Sequence, residues 1–309
     1  MPELLIVTGP TATGKTALGV ELARLLNGEV VSADSMQIYR GMDIGTAKPA
    51  PQEMRGIAHH MIDVAEPWES FSAAKYAAMA SDCVRDILAR GKTPVVVGGT
   101  GLYIDALLRR EDFAAAPGDS GVREQLEAEY DALGGEAFRQ RLSEIDPERA
   151  QKLAAGDKKR LVRAMEVYRL TGETITAHDE RSRTLPPRFT SMKIALDFSE
   201  RERLYERIDR RAAAMFDAGL VEEVQRLLDG GLSDRSTAMQ AIGYKEVAAY
   251  LRGECSREDA IGAVQRESRR YAKRQLTWLW RDDSVRWLRW EKEPDLSEAR
   301  RLSTEFSAL

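Results

Sequence analysis

Leu4-Leu5-Ile6-Val7-Thr8-Gly9-Pro10-Thr11-Ala12-Thr13-Gly14-Lys15-Thr16 decides the fold. A short, unbroken apolar run passes into a Gly-rich turn, and residues 17–26 then show helical spacing. Strand, glycine loop and helix match G-x-x-x-x-G-K-[ST] at every fixed position. The chemistry requires these residue types. Glycine lets the backbone wrap closely around a phosphate, and loop amides and a helix N-terminus then face the anion. Lys15 adds a point charge, and the Thr16 hydroxyl can hold Mg²⁺. Gly9, Pro10, Thr11, Ala12, Thr13, Gly14, Lys15 and Thr16 are therefore the expected phosphate-binding set.

Two more β-rich runs follow, Glu29-Val30-Val31-Ser32 and Pro94-Val95-Val96-Val97, with a helical stretch over 71–88 between them. Apolar strands separated by helices predict an α/β fold with a parallel sheet covered on both faces. The pattern changes over 113–190, where strand runs give way to helical stretches at 122–133 and 158–170. Pro117-Gly118 opens that region and Pro186-Pro187 closes it. We read it as an all-helical insertion into a catalytic core of 1–112 and 191–309. Ile194-Ala195-Leu196-Asp197-Phe198 returns to strand character and is expected to rejoin the sheet. The remainder reads as helical. Leu204, Ile208, Ala212, Phe216, Leu220, Val224 and Leu228 form one stripe with a break near Gly219, and a further helix covers 260–280.

The 309 residues are 43% hydrophobic and 31% charged, which suits a soluble, core-forming chain rather than a disordered or fibrous one. No apolar run approaches the ~18 residues of a membrane helix. The N-terminus lacks the basic start of a secretory signal, so a cytoplasmic protein without a membrane partner is expected. Two cysteines, Cys83 and Cys255, and three histidines, His59, His60 and His178, exclude a disulfide frame and a structural zinc site. His59 and His60 read as local packing and hydrogen bonding, and Trp278, Trp280, Trp287 and Trp290 as core.

The strand tips carry the candidate chemistry, because ligands of open parallel sheets bind at the C-terminal ends of the strands. Asp34 follows the second strand and should face the cleft that holds Lys15. A carboxylate there can take a proton from an attacking nucleophile, or cap the turn Ala33-Asp34-Ser35. Thr100 follows the third strand, where its hydroxyl can donate to a leaving group or cap the helix before Leu102. That strand ends in Gly98-Gly99-Thr100 and offers no acid to reach Mg²⁺. This argues against simple nucleotide hydrolysis and for a transferase in which a phosphate group is donated or expelled.

The net charge of −4 weakly disfavours a nucleic-acid partner, but basic residues cluster locally. One cluster is Lys158-Lys159-Arg160 with Arg163. The other is Arg266, Arg269, Arg270, Lys273 and Arg274, in which Arg266, Arg270 and Arg274 share one helix face.

The stretch Asp34-Ser35-Met36-Gln37-Ile38-Tyr39-Arg40-Gly41-Met42-Asp43-Ile44-Gly45-Thr46-Ala47-Lys48-Pro49 resembles the hallmark of the tRNA dimethylallyltransferases. The resemblance continues in His59-His60-Met61-Ile62-Asp63, in Gly98-Gly99-Thr100-Gly101-Leu102-Tyr103-Ile104 and in Gln240-Ala241-Ile242-Gly243-Tyr244-Lys245-Glu246. It ends in Tyr271-Ala272-Lys273-Arg274-Gln275-Leu276-Thr277-Trp278. Ala58 departs from the proline usual in that family. The resemblance implies a P-loop NTPase-like core and transfer of a dimethylallyl group from dimethylallyl diphosphate to N6 of adenine 37, beside the tRNA anticodon. Diphosphate leaves and Mg²⁺ assists. It implies that Asp34 is the general base, that Thr100 aids the leaving group and that Arg211 lies near the diphosphate. Ser35, Met36 and Gln37 would border the extruded base, Gln37 pairing with an adenine edge. The anticodon stem-loop would meet Arg123, the run Lys159, Arg160, Leu161, Val162 and Arg163, and Arg266, Arg270 and Arg274. A monomer is expected, with the insertion clamping the stem-loop. The alternatives are a P-loop small-molecule kinase, marked by γ-phosphate transfer from ATP, and a nucleotide-dependent RNA-binding module without chemistry.

Overall fold

The computed structural model describes residues 2–109 and 121–308. The chain forms two compact units, Met1–Leu107 with Phe189–Leu309, and Leu108–Arg188. Pro117-Gly118 and the expected start of the insertion at residue 113 lie outside the described residues.

The first unit begins β1 (Leu4–Thr8), α1 (Lys15–Leu25), β2 (Gly28–Ser32), α2 (Pro51–Met54), β3 (His59–His60), α3 (Ala73–Ala89), β4 (Thr93–Val97) and α4 (Gly101–Leu108). The second unit holds α5 (Val122–Leu133), α6 (Gly135–Ile145), α7 (Pro147–Lys152), α8 (Lys158–Thr171) and α9 (Ile175–Thr184). The first unit resumes with β5 (Ser191–Phe198), α10 (Arg201–Asp217), α11 (Leu220–Asp229), a 3₁₀ turn (Ala238–Gln240), α12 (Tyr244–Leu251), α13 (Arg257–Leu279), β6 (Val285–Trp290) and α14 (Glu298–Ala308).

The six strands make one parallel sheet in the order β3-β2-β4-β1-β5-β6. Leu4, Leu5, Ile6 and Val7 are fully buried, since β1 lies inside the sheet with both faces covered. That is the physical reason for an apolar run without alternation. Leu18, Leu22 and Ala23 of α1, Ala272 and Leu276 of α13, and Leu302 and Phe306 of α14 close one core over the sheet. Each Leu or Phe so buried contributes roughly 1.5–3 kcal/mol. A capping box sets the start of α13, with Ser256 Oγ accepting from Asp259 N at 3.1 Å and Asp259 Oδ2 accepting from Ser256 N at 3.2 Å.

Two strands go beyond the sequence reading. β3 is two histidines on an edge, with no apolar run to announce it. β6 falls in the remainder expected to be helical; Arg286 and Arg289 interrupt its apolar Val285, Trp287, Leu288 and Trp290, yet it pairs with β5 from Lys193↔Val285 to Phe198↔Trp290. The final helix α14 lies in the remainder read as helical, where it had no bounds of its own. Trp290 is core, whereas Trp280 is 55% exposed, contrary to the core expectation. Trp280 follows the last turn of α13 with its ring outside the core cluster.

The second unit has its own core of Leu126, Phe138, Leu142, Ala150, Leu161, Val162 and Met165. Leu161 and Val162 are therefore spent on packing. Their side chains are buried, while Lys159 and Arg160 in the same run are exposed.

Candidate active site

The phosphate loop joins β1 to α1 at the C-terminal edge of the sheet. Gly9 is at φ +138, and a Cβ there would lie 2.5 Å from the Leu196 carbonyl of β5, so only glycine lets the loop start so close to its neighbour. Ala12 at φ 67 and Gly14 at φ 85 complete its curl. Thr13 Oγ1 donates to Pro10 O at 2.8 Å, and Lys15 Nζ donates to the same carbonyl at 2.6 Å. The loop is also held from outside. Trp290 Nε1 donates to Thr13 O at 3.0 Å, Arg207 Nε donates to Ala12 O at 3.1 Å, and Thr11 N donates to Gln275 Oε1 at 3.0 Å. Sequence reasoning missed all three supports, because each comes from an element far away in the chain.

The other strand tips meet this loop. Thr100 N donates to Ala33 O at 3.1 Å, and Ser35 N donates to Thr100 Oγ1 at 3.0 Å. Thr100 stands at the start of α4, but its hydroxyl faces Ser35. Asp34 Oδ1 accepts from Met36 N at 2.9 Å and Gln37 N at 3.4 Å, which is the turn-capping reading. One oxygen thereby shapes the turn, and the same residue lines the cleft, so the two readings of Asp34 are compatible.

The cleft has a volume of about 730 Å³ and is lined by Lys15, Thr16, Asp34, Ser35, Met36 and Gln37 together with Arg211. Burial chiefly, and then Arg211, lower the Lys15 pKa to about 7, while Asp34 pulls it upward. Burial lowers the Arg211 pKa, opposed first by Asp34. Lys15, Arg211 and Asp34 thus feel one another across one desolvated space. Tyr271, from α13, also lines the cleft, and burial raises its phenol to about 12. Among the described residues no group of three or more His, Cys, Asp or Glu could hold a metal. The Thr16 hydroxyl is a hard oxygen donor, and it fits an ion that takes its other ligands from phosphate and water.

Gln37 is held in place. Its Nε2 donates to Thr46 O at 3.3 Å and Ala47 O at 3.2 Å, and its Oε1 accepts from Ser32 Oγ at 3.2 Å. The loop supplying those carbonyls is anchored by Glu223, another residue the sequence did not reveal. Its buried carboxylate accepts from the amides of Asp43, Ile44 and Gly45 at 2.9, 2.8 and 3.1 Å and from Tyr244 OH at 2.6 Å.

Residues 37–282 match the family model for IPP transferase. The chain belongs to the IPP transferase family. It is 45% identical over 288 residues to the tRNA dimethylallyltransferase of Acetivibrio thermocellus, covering 93% of this chain and 92% of that one. The full-length tRNA isopentenylpyrophosphate transferase of Bacillus halodurans is 40% identical with a TM-score of 0.74, covering all of this chain and 96% of that structure. A eukaryotic dimethylallyltransferase captured acting on tRNA is 26% identical with a TM-score of 0.85, covering all of this chain and 80% of the other. This IPP transferase family member is accordingly a prenyltransferase on a P-loop-like parallel sheet.

The basic residues divide by setting. On α13, Arg266, Arg270, Lys273 and Arg274 are exposed, and Arg274 lines the cleft. Arg270 pairs with Glu267 at 2.6 Å, while Arg269 is turned to Asp209. Arg270, Lys273, Arg274 and Arg281 also line an adjoining groove with Trp278. In the helical unit Lys159 and Arg160 are exposed, and Arg160 pairs with Asp157. Arg123 and Arg163 share the buried Glu166, each at 2.7 Å. No described helix is long and apolar enough to cross a membrane.

Proposed function

We propose that this enzyme transfers a dimethylallyl group from dimethylallyl diphosphate to N6 of adenine 37 of a tRNA. The observation that carries this reading is a single cleft in which a phosphate loop, the carboxylate of Asp34 and the cationic Arg211 share one desolvated space. An exocyclic adenine amine is a poor nucleophile, because its lone pair is delocalised into the ring. As N6 attacks the allylic carbon, the carbon–oxygen bond to diphosphate breaks and the N6 proton passes to Asp34. Charge then builds on the departing diphosphate, where Lys15, Arg211 and loop amides stabilise it. Thr100, held by the Ser35 amide, donates its hydroxyl hydrogen to the bridging oxygen. Thr16 would hold Mg²⁺, which supplies further neutralisation of the diphosphate.

The adenine leaves its stack to enter the cleft. Ser35 and Met36 border it, and Gln37 meets its edge from a carboxamide already oriented by backbone carbonyls. The exposed face of α13, with Arg123, Lys159, Arg160 and Arg163 of the helical unit, meets RNA phosphates.

The test is mass spectrometry of unmodified tRNA incubated with enzyme, Mg²⁺ and dimethylallyl diphosphate. One dimethylallyl group should appear on the nucleoside beside the anticodon. Unmodified tRNA together with γ-phosphate transfer from ATP to a metabolite would overturn the reading in favour of a kinase.

A further inference from the structure

Gln275 is the one side chain that ties the phosphate loop to the tip carrying Thr100 among the hydrogen bonds of the described residues. It is buried on α13. Its Oε1 accepts from Thr11 N of the phosphate loop at 3.0 Å, and its Nε2 donates to Gly99 O at 2.9 Å. The approach is close enough that a Cβ on Gly99 would lie 2.1 Å from Nε2, so the bare backbone of Gly99 makes room for the carboxamide. The peptide that precedes Thr100 is thereby held at both ends. Its carbonyl is taken by Gln275, and its amide donates to Ala33 O at 3.1 Å, next to Asp34. Ser35 N then reaches the Thr100 hydroxyl at 3.0 Å.

We propose that Gln275 is a positioning residue for the transfer reaction, setting the spacing between the diphosphate cradle and the loops that carry Thr100 and Asp34. The inference rests on the functional reading above. The requirement is one donor and one acceptor on a single side chain long enough to reach both loops. Glutamine meets it; glutamate cannot donate, lysine cannot accept, and asparagine is one methylene short. A shift of even about 1 Å in such a frame costs roughly 100-fold in rate.

Two substitutions test this. Gln275→Glu keeps length and acceptor but sets a carboxylate against the Gly99 carbonyl, and Gln275→Met keeps the volume and removes both bonds. Single-turnover transfer at saturating donor, per folded enzyme, should fall roughly 10- to 100-fold in whichever variant folds. The affinity for inorganic pyrophosphate, measured by calorimetry, should weaken about three- to tenfold, while tRNA affinity stays within about twofold. In a Thr100→Ala background the same substitutions should cost less than they do in wild type, because one of the two positioned groups is gone while Asp34 remains. A transfer rate within about twofold of wild type, unchanged pyrophosphate affinity, or full multiplicative loss in the Thr100→Ala background would each overturn the proposal. A wild-type enzyme that binds pyrophosphate in a Gln275-dependent way but modifies no tRNA would overturn the functional reading and leave the clamp standing.

Discussion

Lys15 and Arg270 are both cations suited to phosphate, yet they are built for different physics. Lys15 lies in the cleft with its ammonium on Pro10 O, and burial chiefly brings its pKa down to about 7. Arg270 stands on the outer face of α13 with a side chain 68% exposed and a neighbouring Glu267 as its partner. The first would meet a phosphate at hydrogen-bond range in a low-dielectric space, so its effect should depend on geometry and protonation. The second would meet an RNA phosphate through a screened field and counterion release, so its effect should depend on salt. On the proposed function, one molecule would grip a diphosphate by placement and an RNA backbone by charge density. A net charge of −4 conceals both, because neither depends on the total.

The sharpest way to break this comparison is Asp34→Ala, which removes the carboxylate facing Lys15. Single-turnover transfer should fall about 10²- to 10⁴-fold, with tRNA affinity nearly intact in filter binding. A large affinity loss with normal turnover would remove Asp34 from the base role. Next in size is the pH dependence of kcat/KM for the donor. Lys15 is charged below about 7 in the free enzyme and loses its charge as pH rises, so kcat/KM should decline on the alkaline side by up to about tenfold per pH unit. Lys15→Arg should abolish that limb, and an unaltered profile in Lys15→Arg would assign it to another group.

Thr100→Ala should slow the chemical step roughly tenfold, the worth of a hydrogen bond to a charged group, while donor KM changes less. Unchanged single-turnover rates would leave Thr100 as a structural bridge to Ser35 alone. The smallest effect is expected from Arg270→Ala. It should weaken tRNA binding only a few-fold at moderate salt and reduce the slope of log K against log salt by about one. If the slope holds, Arg270 is a solvated partner of Glu267, and the contrast with Lys15 loses its exposed half.

Much of the core was legible in the chain. β1, the phosphate loop and α1 were read almost to their ends, because each local segment states its own requirement: apolar residues for a strand covered on two faces, glycines for a tight loop, periodic leucines for a helix. Asp34 and Thr100 were legible as strand-tip residues for the same reason. β6 was not, since Arg286 and Arg289 on an edge strand mask its apolar positions. The burial of the Leu161 and Val162 side chains was not legible, because position in a basic run does not tell which way a helical side chain points; both turn into the core of the helical unit.

The amino-acid order by itself determined the α/β class, the anion loop and the family, since contiguous motifs carry their backbone geometry and chemistry with them. Only tertiary structure decided how the cleft is braced. Trp290 under Thr13, Glu223 beneath the loop at Asp43 and Gln275 against Thr11 are partners 277, 180 and 264 residues apart. A hydrogen bond across that separation leaves no periodicity or spacing in the chain; it exists because a parallel sheet gathers its strand ends on one edge, where distant side chains share a few ångströms.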